Sequence, residues 1–387
     1  MEDSTTPTEV RSGLPTTESP GRRRVELLRG YAVVAGMLVV LAAVAAARPL
    51  FVQVRNLEAV AVDATVLVVL AVGLSLVMAM RGIDLSIAIT ADVVGYLVAG
   101  RLLAGSGLAV AVIIGVAAAL VIGIVNGVLA AYLGVPAIVA TLGVNLLLTA
   151  LSLVLSDNGT PQQLFTAPVD VVRDILVFGS DSWGSFRLLL LTAVVLVVIA
   201  WFATRRTIWG RHIDLVNANA RGAFLSGIPA RATFASGFVV CALFAGLAGI
   251  MLTARTGLAV PGSAQPYLLD AFTAVYLGSI ASPSGRVRVL WTVVGAVFVS
   301  LLANGLILLG LGVAWRYGLN GALILLALTL GTLRRRTGAS ERHGPVDSSP
   351  ARAGRPGIAQ QRGVIADGSN DRCAQSSRCP PWREPER

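Results

Sequence analysis

Apolar positions along this chain neither alternate nor recur on one helical face; they run on without interruption. A polar lead ending in RRRVELLRG gives way to an apolar stretch at about 31–47, and others follow at about 60–80, 85–103, 107–131, 136–156, 187–203, 231–253, 267–281, 289–311 and 317–333. A helix that crosses the hydrocarbon layer needs about 20 mostly apolar residues, each rising about 1.5 Å. Only helices and closed barrels satisfy their backbone groups in lipid, and unbroken runs rather than alternation indicate helices. The pattern predicts an all-α, polytopic transmembrane helical bundle of about ten spans. AVAAARP, closing the first stretch, has the small residues of a signal-peptidase site. Its polar lead is long and its run exceeds a usual signal core, so it reads as the first span.

Composition agrees, since 55% hydrophobic against 13% charged residues excludes a set of soluble domains in 387 residues. The 31 basic residues are all arginine, and with the acids they leave a formal charge of +10. With the N-terminus inside, Arg11, Arg22, Arg23, Arg24, Arg29, Arg81, Arg205, Arg206, Arg211, Arg221, Arg231, Arg286, Arg288, Arg334, Arg335 and Arg336 fall on inside segments. Only Arg48, Arg55, Arg101, Arg173, Arg187, Arg255 and Arg316 fall outside. This bias predicts that both termini are cytoplasmic, and it explains the positive charge without nucleic acid. Residues 1–30 then form a cytoplasmic lead, 31–333 the membrane domain, and 334–387 a disordered cytoplasmic tail rich in Arg, Ser, Pro and Gly. The external segment at 157–186 is the longest and carries Asp157, Asn158, Asp170, Asp174 and Asp181.

Candidate chemistry is sparse. A P-loop needs a lysine on the nucleotide phosphates, so a chain without lysine carries no standard ATP site, and any ATP it uses is bound by a partner. His212 and His343 are the two histidines and neither lies in an apolar stretch, which excludes an intramembrane Ser–His dyad and a His-rich metal site. Cys241 lies in an apolar run, while the tail pair Cys373 and Cys379 lacks further ligands for zinc. The chain reads as neither an enzyme nor a metal protein.

Polar residues inside the spans narrow the function to transport. Asp92 lies deep in the third stretch. A charge there costs about 2.5–3.5 kcal/mol on insertion scales, so it should face a protein interior or a water-filled path. Asp63 and Asp270 lie near span ends and read as interfacial anchors. Gly115, Gly123, Asn126, Gly127, Ala130 and Ala131 form one small-residue row with an amide, and Gly295, Asn304 and Gly305 another. Helix packing is the first reading for both, ahead of solute contact. RGIDLS (Arg81–Ser86) places a break at Gly82 and a helix cap at Asp84 or Ser86, and SPSGR (Ser282–Arg286) makes a similar turn.

The motifs then fall into a familiar order. GIDLS at Gly82, Ile83, Asp84, Leu85 and Ser86 is followed by NG at Asn126–Gly127 and VPAIVATLG at Val135–Gly143. The segment 210–228 keeps Gly210, Arg211, Ile213, Asn219, Ala223, Leu225, Ser226, Gly227 and Ile228 of a Gly-Arg…Asn…Leu-Ser-Gly-Ile pattern. PGSAQPYLLDAFTAVYLGS and NGLILLG at Asn304–Gly310 come next. Over about 30–333 this order resembles the ribose-type monosaccharide permeases of bacterial ATP-binding-cassette importers. The resemblance implies a ten-helix subunit in the cell membrane that pairs with a second permease, identical or related, and with two ATPase subunits carrying the ATP and Mg. An extracytoplasmic solute-binding protein would deliver a monosaccharide or polyol, and this chain itself would bind no cofactor. The segment 210–228 is similar to the loop that couples the permease to its ATPase. Candidates for the translocation path are Asp92, Asn126, Thr141, Asn145 and Asn304. The sequence departs from the family pattern at Asp214, Asn217, Ala220 and Arg221, at Leu269 and Ser279, and at Ala88 and Ile89 after GIDLS. Import of branched-chain amino acids or nucleosides remains the alternative, and an ion-coupled secondary carrier the alternative from another class. Sparse charge within the spans favours a neutral solute.

Overall fold

The computed structural model describes residues 20–340 apart from 181, 184 and 185. The first 19 residues, Asp181 and the tail from 341 on, with His343, Cys373 and Cys379, lie outside the described residues. Residues 1–338 form one unit and 339–387 a second, of which Ala339 and Ser340 alone are described. In chain order the helices are α1 (Pro20–Ala47), α2 (Val54–Ala79), α3 (Ile87–Leu103), α4 (Leu108–Ala131), α5 (Ala137–Leu155), α6 (Val169–Ser180), α7 (Leu188–Arg206), α8 (Ile208–Leu225), α9 (Ala230–Thr256), α10 (Gln265–Ala281), α11 (Val289–Leu308) and α12 (Val313–Ser340).

Every apolar stretch of the sequence is a helix, most with ends within a few residues of those expected. Three segments differ. The external segment holds α6, and its Gln162–Gln163 pairs antiparallel with Leu258–Ala259. Residues 208–225 are helical where a loop was expected, because Gly210, Ile213, Val216 and Ala223 form a buried face against the bundle. The backbone of α12 stays helical to Ser340, into the expected tail. Eight of the described helices are long and apolar enough to cross a membrane, against the ten expected. The other two, α3 and α10, have 17 residues each and carry Asp92 and Asp270.

The core is built on α2 and α9. Residues 64–77 of α2 are all buried, as is almost all of α9 from Cys241 to Ala254. Around them pack α3, α4, α7, α10 and α11, with Leu70, Leu74, Phe238 and Met251 at the centre of one cluster. Lipid tails are as apolar as leucine, so close van der Waals fit rather than exclusion of water holds such helices together. Small residues make that fit. A Cβ at Gly249 would overlap the Ala91 carbonyl oxygen of α3, and one at Gly123 would come within 2.7 Å of Val239 Cα on α9. Gly115, Gly127, Gly295 and Gly305 also lie against neighbouring helices, the packing role read from the sequence. The outer helices invert the soluble pattern. Leu146, Leu147 and Val154 of α5 and Val194, Val198 and Phe202 of α7 are exposed, as a lipid-facing surface requires.

Gly249→Val drives a branched side chain into the backbone of α3 and should lower stability by about 1–3 kcal/mol. Gly143→Ala, where a Cβ meets nothing within 4 Å, serves as the neutral comparison. Thermal unfolding in detergent measures both, and equal melting of the two variants would remove the close-packing account.

Candidate functional site

The Arg81–Ser86 turn interrupts two fully packed helices, so its backbone and acid must be satisfied from within the protein. Arg81 has φ +65°, and the Gly82 amide donates to Val77 O at 3.1 Å, closing α2. Asp84 is buried, and its Oδ1 accepts from the Ser86 amide at 2.8 Å and from Ser86 Oγ at 2.7 Å. Ser86 takes the N-cap position, but neither side chain caps an amide inside α3; Asp84 instead accepts from the Ser86 amide just ahead of the helix. Asn126 Nδ2 on α4 donates to Ser86 Oγ at 2.8 Å. From α5, Thr141 Oγ1 accepts from the Leu85 amide at 3.1 Å and Asn145 Nδ2 donates to Leu85 O at 2.8 Å. Three of the five path candidates therefore meet on this one turn.

The other two lie elsewhere. Asp92 Oδ1, on α3, accepts from Ser263 Oγ at 3.0 Å and from the Ala264 amide at 2.8 Å, anchoring the turn that leads into α10. Asn304 on α11 exchanges amide bonds of 3.0 and 3.1 Å with Asn56 on α2. Among the described residues, Asp92 Oδ2 and Asn126 Oδ1 are buried acceptors without a partner.

Two acids read alike in the sequence part company here. Asp63 is half-exposed and paired with Arg255, as an interfacial anchor would be. Asp270 is only 1% exposed and no anchor; it binds Arg316 and Asn320 of α12. Its partners lie 46 and 50 residues further on, which hid the cluster from a local reading. Arg316 and Asn320, one turn apart on an apolar helix, were the available signal.

The segment 207–229 is built for stiffness with one joint. The Thr207 hydroxyl accepts from the Gly210 amide and caps α8, and Gly210 lies so close to Thr204 of α7 that no Cβ fits. Asn219 leaves the helical region at φ −160°, ψ 100°, and its Oδ1 accepts from the Gly222 amide at 3.0 Å, recapping the last turn after the break. Gly227, at φ +78°, closes the helix as the Ile228 amide bonds Ala223 O and the Gly227 amide bonds Phe224 O, both at 3.0 Å. Gly210, Ile213 and Ala223 are buried, whereas Arg211, Asn219, Leu225, Ser226 and Gly227 are exposed beside Phe224. Two bonds tie this element to the bundle. Trp209 Nε1 donates to Ser236 Oγ of α9 at 2.7 Å, and Arg81 Nε donates to Asn217 Oδ1 at 3.2 Å. Asn217, a departure from the family pattern, thus bridges α8 to the Gly82–Ser86 turn.

Asp270→Leu leaves Arg316 beside an apolar pocket and should cost about 3 kcal/mol of stability, while Asp270→Leu/Arg316→Met should recover most of it. Melting curves of the purified chain decide, and a double variant no more stable than the single one would contradict this account.

Comparison with known proteins bears on the whole of this architecture. A family model described as Branched-chain amino acid transport system / permease component matches residues 56–328. The ribose import permease protein RbsC of Escherichia coli K12 is 34% identical over 301 residues, covering 76% of this chain and 90% of its own. The D-allose transport system permease protein AlsC of the same strain is 28% identical over 284 residues, 73% of this chain and 85% of its own. The galactose/methyl galactoside import permease protein MglC of Salmonella typhimurium LT2 is 25% identical over 314 residues, 77% and 92% respectively. No solved structure matches the chain. Together with eight helices able to cross a bilayer, these matches make it a multi-pass inner-membrane protein that belongs to the permease family of ATP-binding-cassette importers.

Proposed function

We propose that this chain is the membrane subunit of an importer for a monosaccharide or related polyol, delivered by an extracytoplasmic binding protein and driven by two separate ATPase subunits. One observation carries the reading. Permeases named for ribose, allose and galactose align along about three quarters of the chain. In this reading α3 and α10 also cross the bilayer, at the short end of the range for spanning helices, which gives ten spans and cytoplasmic termini. Two copies, or this chain and a related one, enclose the path, and the chain itself does no chemistry on the solute.

Movement would enter at α8. Leu225, Ser226, Gly227 and Arg211 are exposed to receive a partner, and the buried face holds the element to the bundle. A displacement of α8 is passed to α9 through Trp209 and to the Gly82–Ser86 turn through Asn217 and Arg81. That turn is where Asn126, Thr141 and Asn145 converge, so a shift there re-aims the polar groups proposed for the path. Asn126 Oδ1 and Asp92 Oδ2, buried and without partners among the described residues, would accept from a hydroxylated solute once such a shift uncovers them. An ion-coupled carrier is the weaker reading, since the chain belongs to the permease family of ATP-binding-cassette importers.

Reconstitution tests the reading. With its ATPase subunits and binding protein in proteoliposomes, the chain should take up a labelled pentose or hexose only when ATP is supplied on the ATPase side. Uptake driven by a proton or sodium gradient without ATP would replace this reading with the carrier. Arg211→Glu and Gly227→Trp should each lower uptake at least about tenfold by weakening a docking contact, a loss typical of interface hot spots. Full uptake and undiminished ATPase association in both variants would remove α8 as the coupling element.

A further inference from the structure

A cleft opens where the C-terminal ends of α2 and α7, the first half of α8 and the start of α11 meet. Its polar lining is Thr204 and Arg205 of α7, Asp214 of α8, Ser75 of α2 and Arg288, the residue before α11. Trp201 and Trp291 line it as well. Among the described residues neither arginine forms an ion pair with Asp214, and the one bond given to the Arg288 guanidinium is from Nε to Ser284 Oγ at 3.3 Å. Burial lowers the pKa of Arg288 and the Arg205 cation lowers it further, Asp214 opposes them, and Arg286 adds a smaller lowering. The cleft therefore holds two cations against one acid, with Arg205 and Asp214 exposed and Arg288 partly buried.

Apolar surface continues from it along α11. Leu290, Val294 and Val297 form an exposed row on α11 at spacings of four and three. Leu290 itself lines the cleft. Cations at one end, indole rings beside them and an apolar row leading away match an amphiphile with an anionic head.

We propose that this cleft binds the phosphate of an anionic phospholipid, with Arg205 and Arg288 on the headgroup and an acyl chain along the α11 row. Free phosphate shares the headgroup chemistry but has no use for the apolar row. The headgroup would lie against Gly210, Ile213 and Asp214, so lipid charge would set how firmly the first half of α8 is held. The site stands on the membrane location of the chain and does not depend on which solute it carries.

The test uses the purified full-length chain in neutral detergent, offered equal amounts of phosphatidylglycerol and phosphatidylcholine and read by native mass spectrometry. Phosphatidylglycerol should be retained preferentially, by about fivefold for each arginine engaged. The Arg205→Gln/Arg288→Gln double variant should lose the preference, Arg288→Lys should keep it, and Arg101→Gln, at the far end of α3, should leave it intact. Asp214→Asn, which removes the opposing charge without removing a ligand, should increase it, which keeps the test open if the double variant melts early. Equal retention of the two lipids, or an unchanged preference in the double variant, overturns the proposal. So does inorganic phosphate that raises the melting temperature as much as the anionic lipid. Loss of ATPase association in the double variant with lipid preference intact would make the cleft a protein docking surface instead.

Discussion

A helix broken inside a packed, water-poor bundle exposes amides and carbonyls that lipid cannot satisfy, and the rest of this molecule is arranged around that constraint. The break lies between α2 and α3. Asp84 supplies the acceptor for the new helix start, Ser86 relays it, and Asn126, Thr141 and Asn145 come from α4 and α5 to complete the ring of bonds. Those two helices are otherwise largely exposed, so their few buried polar groups fix their register against the core. The same solution recurs ahead of α10, where Asp92 accepts from Ser263 and from the Ala264 amide. Small residues on α9 then let backbones approach closely enough for such short side chains to reach.

Stiffness and compliance are divided along α8. Its first half is pinned on two sides, by Gly210 against α7 and by Trp209 against α9. Beyond Asn219 the last turn is recapped by the Asn219 side chain, keeps Ala223 buried and ends in a glycine lock, with Phe224 and Leu225 facing outward. Such an element passes on a push at its pinned half and adapts its outer turn to whatever it meets. Two of the departures from the family pattern, Asp214 and Asn217, are placed on the pinned half, one in the cleft beside Arg288 and one on Arg81.

Much of the architecture was legible because lipid imposes a simple code: long apolar runs become helices, and glycine rows become contacts. The segment 208–225 was misread because its helical face is short, its Gly and Asn content suggests a loop, and the break at Asn219 interrupts the period. Asp270 was misread for a different reason. Its depth depends on Arg316 and Asn320, and nothing near it in sequence announces a counter-charge. The turn residues Gly82–Ser86 were recognised as a motif, yet their convergence with Thr141 and Asn145 is a property of packing between α3 and α5. Arg81 and Asn217, 136 residues apart, could not be paired from spacing alone.

The Asp270 cluster also bears on how the chain is made. Val313–Leu330 is the least apolar of the eight membrane-crossing segments, and it carries an arginine close to its start. By itself such a segment is a marginal candidate for partition into a bilayer, since an arginine opposes transfer out of water. Synthesis proceeds from the N-terminus, so the carboxylate that neutralises this arginine has been made before the arginine emerges. The closing helix is thus matched to a socket made ahead of it, and the order of residues along the chain doubles as an order of assembly.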